Sequence, residues 1–249
     1  MEALRLVLDL FLPRTCIVCG RTLGRHEDFL CIRCEADLPR TGFSSRPRNP
    51  MADRFNEHLE TGPYAYATAL FNYDGNYENL TKELKYKGDI PAGRHLGKML
   101  AEDIAAAPHF SDVEAVIPVP LHWTRRLSRG YNQAEIIARE VASVLRVPCL
   151  SGALVRVRRT RTQTKLKGEE KARNVSSAFR ADGTLLSGAL ESVNQGHLLL
   201  IDDVFTTGST LAACAGAIRA AIDPGDSFAS TGRGLRISAA TLAVVPSWR

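Results

Sequence analysis

Thirteen consecutive residues constrain this chain more than any other stretch: Leu198-Leu-Leu-Ile-Asp-Asp-Val-Phe-Thr-Thr-Gly-Ser-Thr210. The apolar run from His197 to Ile201 reads as a buried strand, which ends in two carboxylates and turns through a glycine into a helix over 209–221. Ligands of open parallel sheets collect at the C-terminal ends of strands. The backbone N–H groups of Thr206 to Thr210, with the hydroxyls of Thr206, Thr207, Ser209 and Thr210, are placed to cradle a dianionic phosphate on the helix dipole. Gly208 lets the backbone approach closely. Asp202 and Asp203 would repel that phosphate, so they are expected to bind hydroxyls or a metal. A phosphate monoester, vicinal hydroxyls and Mg2+ together describe a ribose 5-phosphate. A strand-turn-helix with a capped start accounts for one Ser or Thr and for no acidic pair.

Elsewhere the pattern alternates between β and α. Val113 to Pro120 reads as a buried strand, 131–146 as a helix through Ile136, Ile137, Val141, Val144 and Leu145, 150–157 as a strand, and Ile237 to Val245 as a last strand. Upstream, Tyr64 to Tyr73 is a weak strand ending at Asp74-Gly75, followed by helices over 76–86 and 92–106 joined by Tyr86-Lys-Gly-Asp89. Such alternation predicts an α/β fold, a parallel sheet flanked by helices. The segment 40–63, rich in Arg, Pro, Asn and Gly, reads as a linker or irregular arm, and Leu4 to Leu12 as a short helix closed by Pro13. With 249 residues, 45% of them hydrophobic, the chain can bury a real core, and disorder, collagen and repeat arrays are excluded. The expected division is 1–40 as a helix plus cysteine module, 41–105 as linker and hood-like segment, and 106–249 as the core.

Four cysteines stand in two pairs, Cys16-Ile-Val-Cys19 and Cys31-Ile-Arg-Cys34, eleven residues apart. That is the spacing of a closed tetrahedral Zn2+ site. Disulfides are the rival reading, and the compartment decides between them. The apolar run Leu6 to Leu12 is broken by Asp9 and is far below the ~20 residues of a membrane span. It also lacks the basic start and cleavage site of a signal peptide. The expectation is therefore a cytoplasmic protein without membrane insertion, where thiols stay reduced and zinc is favoured. His26 is a weaker substitute ligand, and Cys149 and Cys214 read as core thiols.

The net charge of +5 conceals two opposed regions. Residues 121–180 carry +10, and the rest of the chain sums to −5. A swing of this size implies a local anionic partner, phosphate or nucleic acid.

The thirteen residues match, position by position, the signature with which type I phosphoribosyltransferases bind phosphoribosyl pyrophosphate (PRPP). Beyond it, the chain resembles the ComF family, named for competence for DNA uptake, over almost its whole length. The matching stretches are the Cys pairs, Glu83-Leu-Lys-Tyr-Lys-Gly-Asp89, Ile117-Pro-Val-Pro-Leu-His122 with Arg126, Arg129-Gly-Tyr-Asn-Gln133, Arg161-Thr-Gln163, Arg173-Asn-Val175 with Phe179, and the signature itself. Many ComF relatives carry further Cys pairs, and this sequence has none between 35 and 148.

The resemblance implies a type I phosphoribosyltransferase fold with a small N-terminal zinc module held by four cysteines. It further implies Mg2+-dependent transfer of ribose 5-phosphate from PRPP to an acceptor that the sequence does not name. Asp202, Asp203 and Arg173 are the expected catalytic residues. The turn Pro118 to Arg126 resembles the pyrophosphate loop, which makes Pro120, Leu121, His122, Arg125 and Arg126 candidate PRPP contacts, although solvated surface arginines remain the rival reading of Arg125 and Arg126. The basic segment 158–176 sits where such enzymes keep a mobile loop, with Gln163, Lys165, Lys167 and Arg173 as candidates. Acceptor contacts fall to hood elements within 60–105. A second reading is a single-stranded nucleic-acid-binding competence protein whose PRPP pocket is vestigial or regulatory, with Tyr131 and Trp123 available to stack on bases, although packing is the commoner role for such aromatics. The loop Asp223 to Gly234 replaces the usual short turn and has no functional account. Oligomeric state is left open.

Overall fold

The computed structural model describes residues 13–59, 61–86, 90–121, 130–157, 178–190, 196–222 and 234–246. The helix expected over 4–12, the 87–89 junction, the whole 158–176 segment and the loop 223–233 lie outside them.

The expected parallel sheet is present. Its four strands are β1 (Ala67–Asn72), β2 (Ala115–Pro118), β5 (His197–Phe205) and β6 (Arg236–Val244), in the order β1-β6-β5-β2, and every pairing is parallel. Leu198, Leu199, Leu200 and Ile201 are all fully buried. A continuous rather than alternating apolar run is what a strand covered on both faces requires. The chain at Cys149 adds a single parallel bridge to Val116 outside β2. Beyond it, β3 (Leu154–Arg156) leaves the sheet and pairs antiparallel with β4 (Phe179–Ala181). The strand expected over 150–157 is therefore shorter and belongs to a hairpin.

Helices cover both faces. Leu199 and Ile201 face a cluster built from α3 (Glu78–Tyr86), α4 (Ile90–Ala105) and α5 (Gln133–Leu145), together with Cys16, Cys31, Cys34 and α1 (Ile32–Ala36). Leu198 and Leu200 face a second cluster built from α2 (Pro50–Asn56) and α7 (Ser209–Ala221). A short α6 (Gly183–Leu190) precedes β5. Helices α4 and α5 pack closely because Gly97 has no side chain: a Cβ there would stand 3.2 Å from the Ile137 Cα.

The arm 40–63 is more ordered than its composition suggests. Residues 39–41 lie antiparallel along the outer edge of β1, with Thr41 N–H donating to the Leu70 carbonyl and Asn72 N–H to that of Pro39. This covers an edge strand that would otherwise present unpaired backbone. Asn49 caps α2 by accepting from Ala52 N–H at 3.0 Å, and its amide donates to the Ala67 carbonyl at 2.9 Å. Asn49-Pro50 is a recognisable helix start, and Met51, Phe55 and Leu59 recur at helical spacing.

Candidate functional site

The site is assembled where β5 ends. Asp202, Asp203 and Val204 are half-buried, Phe205 is buried, and Thr206 and Thr207 are exposed. Successive strand residues point to opposite faces. Asp202 therefore follows Leu200 onto the α7 face, where its negative charge adds to burial in raising the Cys214 thiol well above its ordinary range. Asp203 is turned the other way, and its N–H donates to the Asp202 carboxylate at 2.8 Å. The two acids thus occupy different sides of the strand end.

The loop after them closes on Gly208, which takes φ 82° and caps α7 with no side-chain hydrogen bond at the helix start. An L-residue is disfavoured there twice over. The positive φ is costly, and a Cβ would stand 2.9 Å from the Phe205 ring. Among the described residues no side chain caps the start of α7, the condition in which a helix N-terminus can receive an anion. Thr207 Oγ1 and Ser209 Oγ lie 3.0 Å apart, two hydroxyls converging on the same turn. His58 Nε2 meets the Thr207 carbonyl at 2.8 Å. Ser209 also opens onto a groove of about 890 Å3 between α7, β4 and the residues His58, Leu59 and Thr61, whose described lining contains Arg180 and Arg219. Burial of Arg219 lowers its pKa, since the guanidinium loses hydration.

The neighbouring strand leads Pro120 and Leu121 to the same end of the sheet. Pro118 is level with Ile201, and Val119 N–H donates to the Ile201 carbonyl at 2.8 Å, so both residues follow beside Asp202 and are half-buried. The structure thereby brings together Asp202, Asp203, Thr206, Thr207, Gly208, Ser209, Thr210, Pro120 and Leu121. His122, Trp123, Arg125, Arg126, Gln163, Lys165, Lys167 and Arg173 lie outside the described residues.

The chain re-enters at Gly130 with a set of anchors. Asn132 is buried and its amide donates to the Val119 carbonyl at 3.0 Å, while Gln133 donates to the Leu84 carbonyl at 3.1 Å. The Tyr131 hydroxyl donates to the same Leu84 carbonyl. Tyr131 is thus a packing and anchoring residue, half-buried against α3. His58 is the neighbour of the loop that sequence reasoning missed. It sits in a stretch whose composition suggests a linker, 149 positions from its partner.

The second centre is the cysteine cluster. The sulfurs of Cys16, Cys19, Cys31 and Cys34 all lie within 4.8 Å of one another, and none of the four is in a disulfide. Four sulfurs around a tetrahedral zinc, each at ~2.3 Å, stand about 3.8 Å apart. Cys19 and Cys31 are 3.8 Å apart. The donor set therefore suits a structural metal such as zinc. Burial opposes ionisation of Cys16, but the backbone N–H groups of Cys19, Cys31 and Val18 and the Cys19 side chain outweigh it and bring the thiol down to about 7. Burial, followed by hydrogen bonds to Cys31, Cys19 and Cys16, pushes Cys34 up. A divalent metal bound here would displace the protons of its thiol ligands, so metal binding and thiol ionisation are coupled. Glu27 orders the intervening loop: it accepts from Gly24 N–H at 2.6 Å and Ile32 N–H at 2.7 Å, which hold its carboxyl below the usual range.

Among the described residues no helix is long and apolar enough to cross a membrane. No protein-family model matches the chain. Among known proteins it is similar to competence protein F of Haemophilus influenzae, 28% identical over 203 residues that cover 79% of this chain and 86% of that protein. It is similar to DNA utilization protein YhgH of Salmonella typhi, 29% identical over 201 residues covering 79% and 80% of the two chains. Competence protein ComFC of Streptococcus pneumoniae is 24% identical over 217 residues, covering 79% and 89%.

Proposed function

We propose that the chain, which is similar to competence protein F, DNA utilization protein YhgH and competence protein ComFC, is a ComF-family phosphoribosyltransferase of type I fold, binding PRPP and Mg2+ at the C-terminal end of β5. The observation that carries this reading is the meeting, at one strand end, of Asp202 and Asp203 with the uncapped start of α7 behind Gly208. A dianionic phosphate suits the helix start, and sugar hydroxyls suit the carboxylates.

In this reading the Thr206–Thr210 loop takes the 5′-phosphate, and Asp202 and Asp203 orient the ribose hydroxyls. As the bond from the anomeric carbon to pyrophosphate breaks, positive charge develops on the ring and is stabilised by the carboxylates rather than by a strong base. Hydroxyl and carboxylate oxygens are the hard donors Mg2+ prefers, and the ion supplies charge neutralisation for the departing pyrophosphate. Pro120 and Leu121 line the pyrophosphate side, where Arg125, Arg126 and Arg173 are assigned to the leaving group and ribose 5-phosphate passes to an acceptor. Zinc in the Cys16, Cys19, Cys31 and Cys34 cluster is structural, and the protein works in a reducing cytoplasm.

The test is thermal. Millimolar PRPP with Mg2+ should raise the melting temperature, and combined Asp202→Asn and Asp203→Asn should abolish the rise. An unchanged melting curve overturns the reading.

The names of the relatives favour a second reading, single-stranded DNA binding in competence, with PRPP as a regulatory ligand. The +10 segment and the groove beside α7, whose described lining holds Arg180 and Arg219, supply suitable charge. This reading requires oligonucleotide binding that weakens steeply with salt. No retention at low ionic strength counts against it.

A further inference from the structure

We propose that His58 is a positioning residue for the phosphate loop: by holding the Thr207 carbonyl, it keeps the following Gly208 N–H turned into the anion cradle. The proposal rests on the reading above that residues 206–210 receive the phosphate of PRPP.

A trans peptide is planar, and its C=O and N–H point in opposite directions. Fixing the Thr207 carbonyl outward therefore fixes the Gly208 N–H inward. His58 Nε2 stands 2.8 Å from that carbonyl. A carbonyl only accepts, so Nε2 carries the proton and donates. Control is needed here because Gly208, at φ 82°, is free to adopt either sign of φ. If the Thr207–Gly208 peptide flips, the cradle presents a carbonyl oxygen to a dianion instead of an N–H.

His58 is held well enough to do so. It follows directly on α2, whose Met51, Ala52 and Phe55 are fully buried, and its own N–H donates to the Phe55 carbonyl at 3.1 Å. The end of α2 is fastened by Asn56, which exchanges hydrogen bonds with the backbone of Ala65 at 2.8 and 2.9 Å. The imidazole edge also packs on the loop, with Cδ2 3.5 Å from where a Gly208 Cβ would stand. Carbonyl and ring contact together hold the peptide from outside.

The experiment uses the full chain and titrates PRPP with Mg2+, and separately inorganic phosphate, by calorimetry. His58→Ala, and His58→Phe, which keeps a ring without a donor, should each weaken both ligands about 3- to 10-fold, the loss of one ordinary hydrogen bond. His58→Gln keeps an N–H at similar reach and should recover most of the affinity. Combined Asp202→Asn and Asp203→Asn should lose PRPP but keep inorganic phosphate. If the wild type fails to bind PRPP, the functional reading falls. If the wild type binds and His58→Phe binds equally well, or His58→Gln is no better than His58→Ala, the positioning role falls while the functional reading stands.

Discussion

The buried side-chain amide of Gln133 donates to the carbonyl of Leu84 at 3.1 Å, joining the first turn of α5 to the last turn of α3. The Tyr131 hydroxyl reaches the same oxygen. Two stretches through which the chain resembles the ComF family, Glu83–Asp89 and Arg129–Gln133, thus meet at one backbone atom. A helix ends in carbonyls without intrahelical partners, and here side chains at and just before the start of α5 satisfy one of them.

Because either donor alone can serve the Leu84 carbonyl, the two should be coupled. Tyr131→Phe and Gln133→Ala are each expected to cost about 1 kcal/mol, and the double variant more than their sum, since only it leaves the carbonyl without a donor. Urea denaturation of the four proteins measures the coupling. Strict additivity would show that the contacts act separately.

Gly208→Ala should be damaging out of proportion to its size. The added Cβ would stand 2.9 Å from the Phe205 ring at a backbone φ of 82°. The left-handed conformation alone costs about 1–2 kcal/mol for a residue other than glycine. The variant is expected to lose stability by at least that amount and to lose the PRPP-dependent rise in melting temperature. Full retention of that rise would mean the loop tolerates another backbone path.

The strand-turn-helix at 197–221 was legible because three local signals agree: a doubly buried strand, an acidic pair and a Gly turn. The cysteine cluster was legible from spacing. By contrast α2, β4 and α6 were not. Helix α2 is short and its helical spacing is embedded in Arg, Pro and Asn, which dominate the composition of 40–63. Strand β4 has three residues, of which Phe179 alone is buried, too few to establish a period. His58 was invisible for a different reason. Its partner is a backbone carbonyl brought close only by the packing of α2 on β1 and α7, and tertiary contacts of that kind leave no local pattern.

Metal removal should melt more than the cysteine loops. Cys16, Cys31 and Cys34 belong to the same apolar cluster as Leu80, Leu84 and Leu96, and the Tyr77 hydroxyl donates to the Cys34 carbonyl at 3.1 Å. The module therefore shares a core with α3 and α4. Chelation, or Cys16→Ser, is expected to lower the melting temperature of one cooperative transition that includes the sheet. Calorimetry showing a separate transition for the module, with the main one unmoved, would contradict this.

The last prediction concerns pH and the opposite end of β5. His197 is fully buried, with Nδ1 2.6 Å from Asp112 Oδ1 and Nε2 2.7 Å from Ser238 Oγ. A carboxylate only accepts, so Nδ1–H donates to Asp112, and in the neutral ring Nε2 then accepts the hydroxyl proton of Ser238, whose Oγ also accepts from Tyr66 N–H at 3.0 Å. The imidazole is neutral in this network, and a second ring proton would point at a hydroxyl already donating toward it. Burial lowers the His197 pKa from 6.5; the hydrogen bond and charge of Asp112 oppose that, Arg236 adds to it, and Glu114 resists it. His109, packed beside the same Tyr66 ring, is also lowered by burial. With the folded pKa below the unfolded one, the unfolded chain binds more protons as pH falls, so the stabilisation is complete above about 6.5 and declines below it. One proton sets a limiting slope of about 1.4 kcal/mol per pH unit. Urea midpoints from pH 8 to pH 5 should fall more steeply for the wild type than for His197→Gln, which cannot titrate. Parallel profiles would assign the acid sensitivity elsewhere.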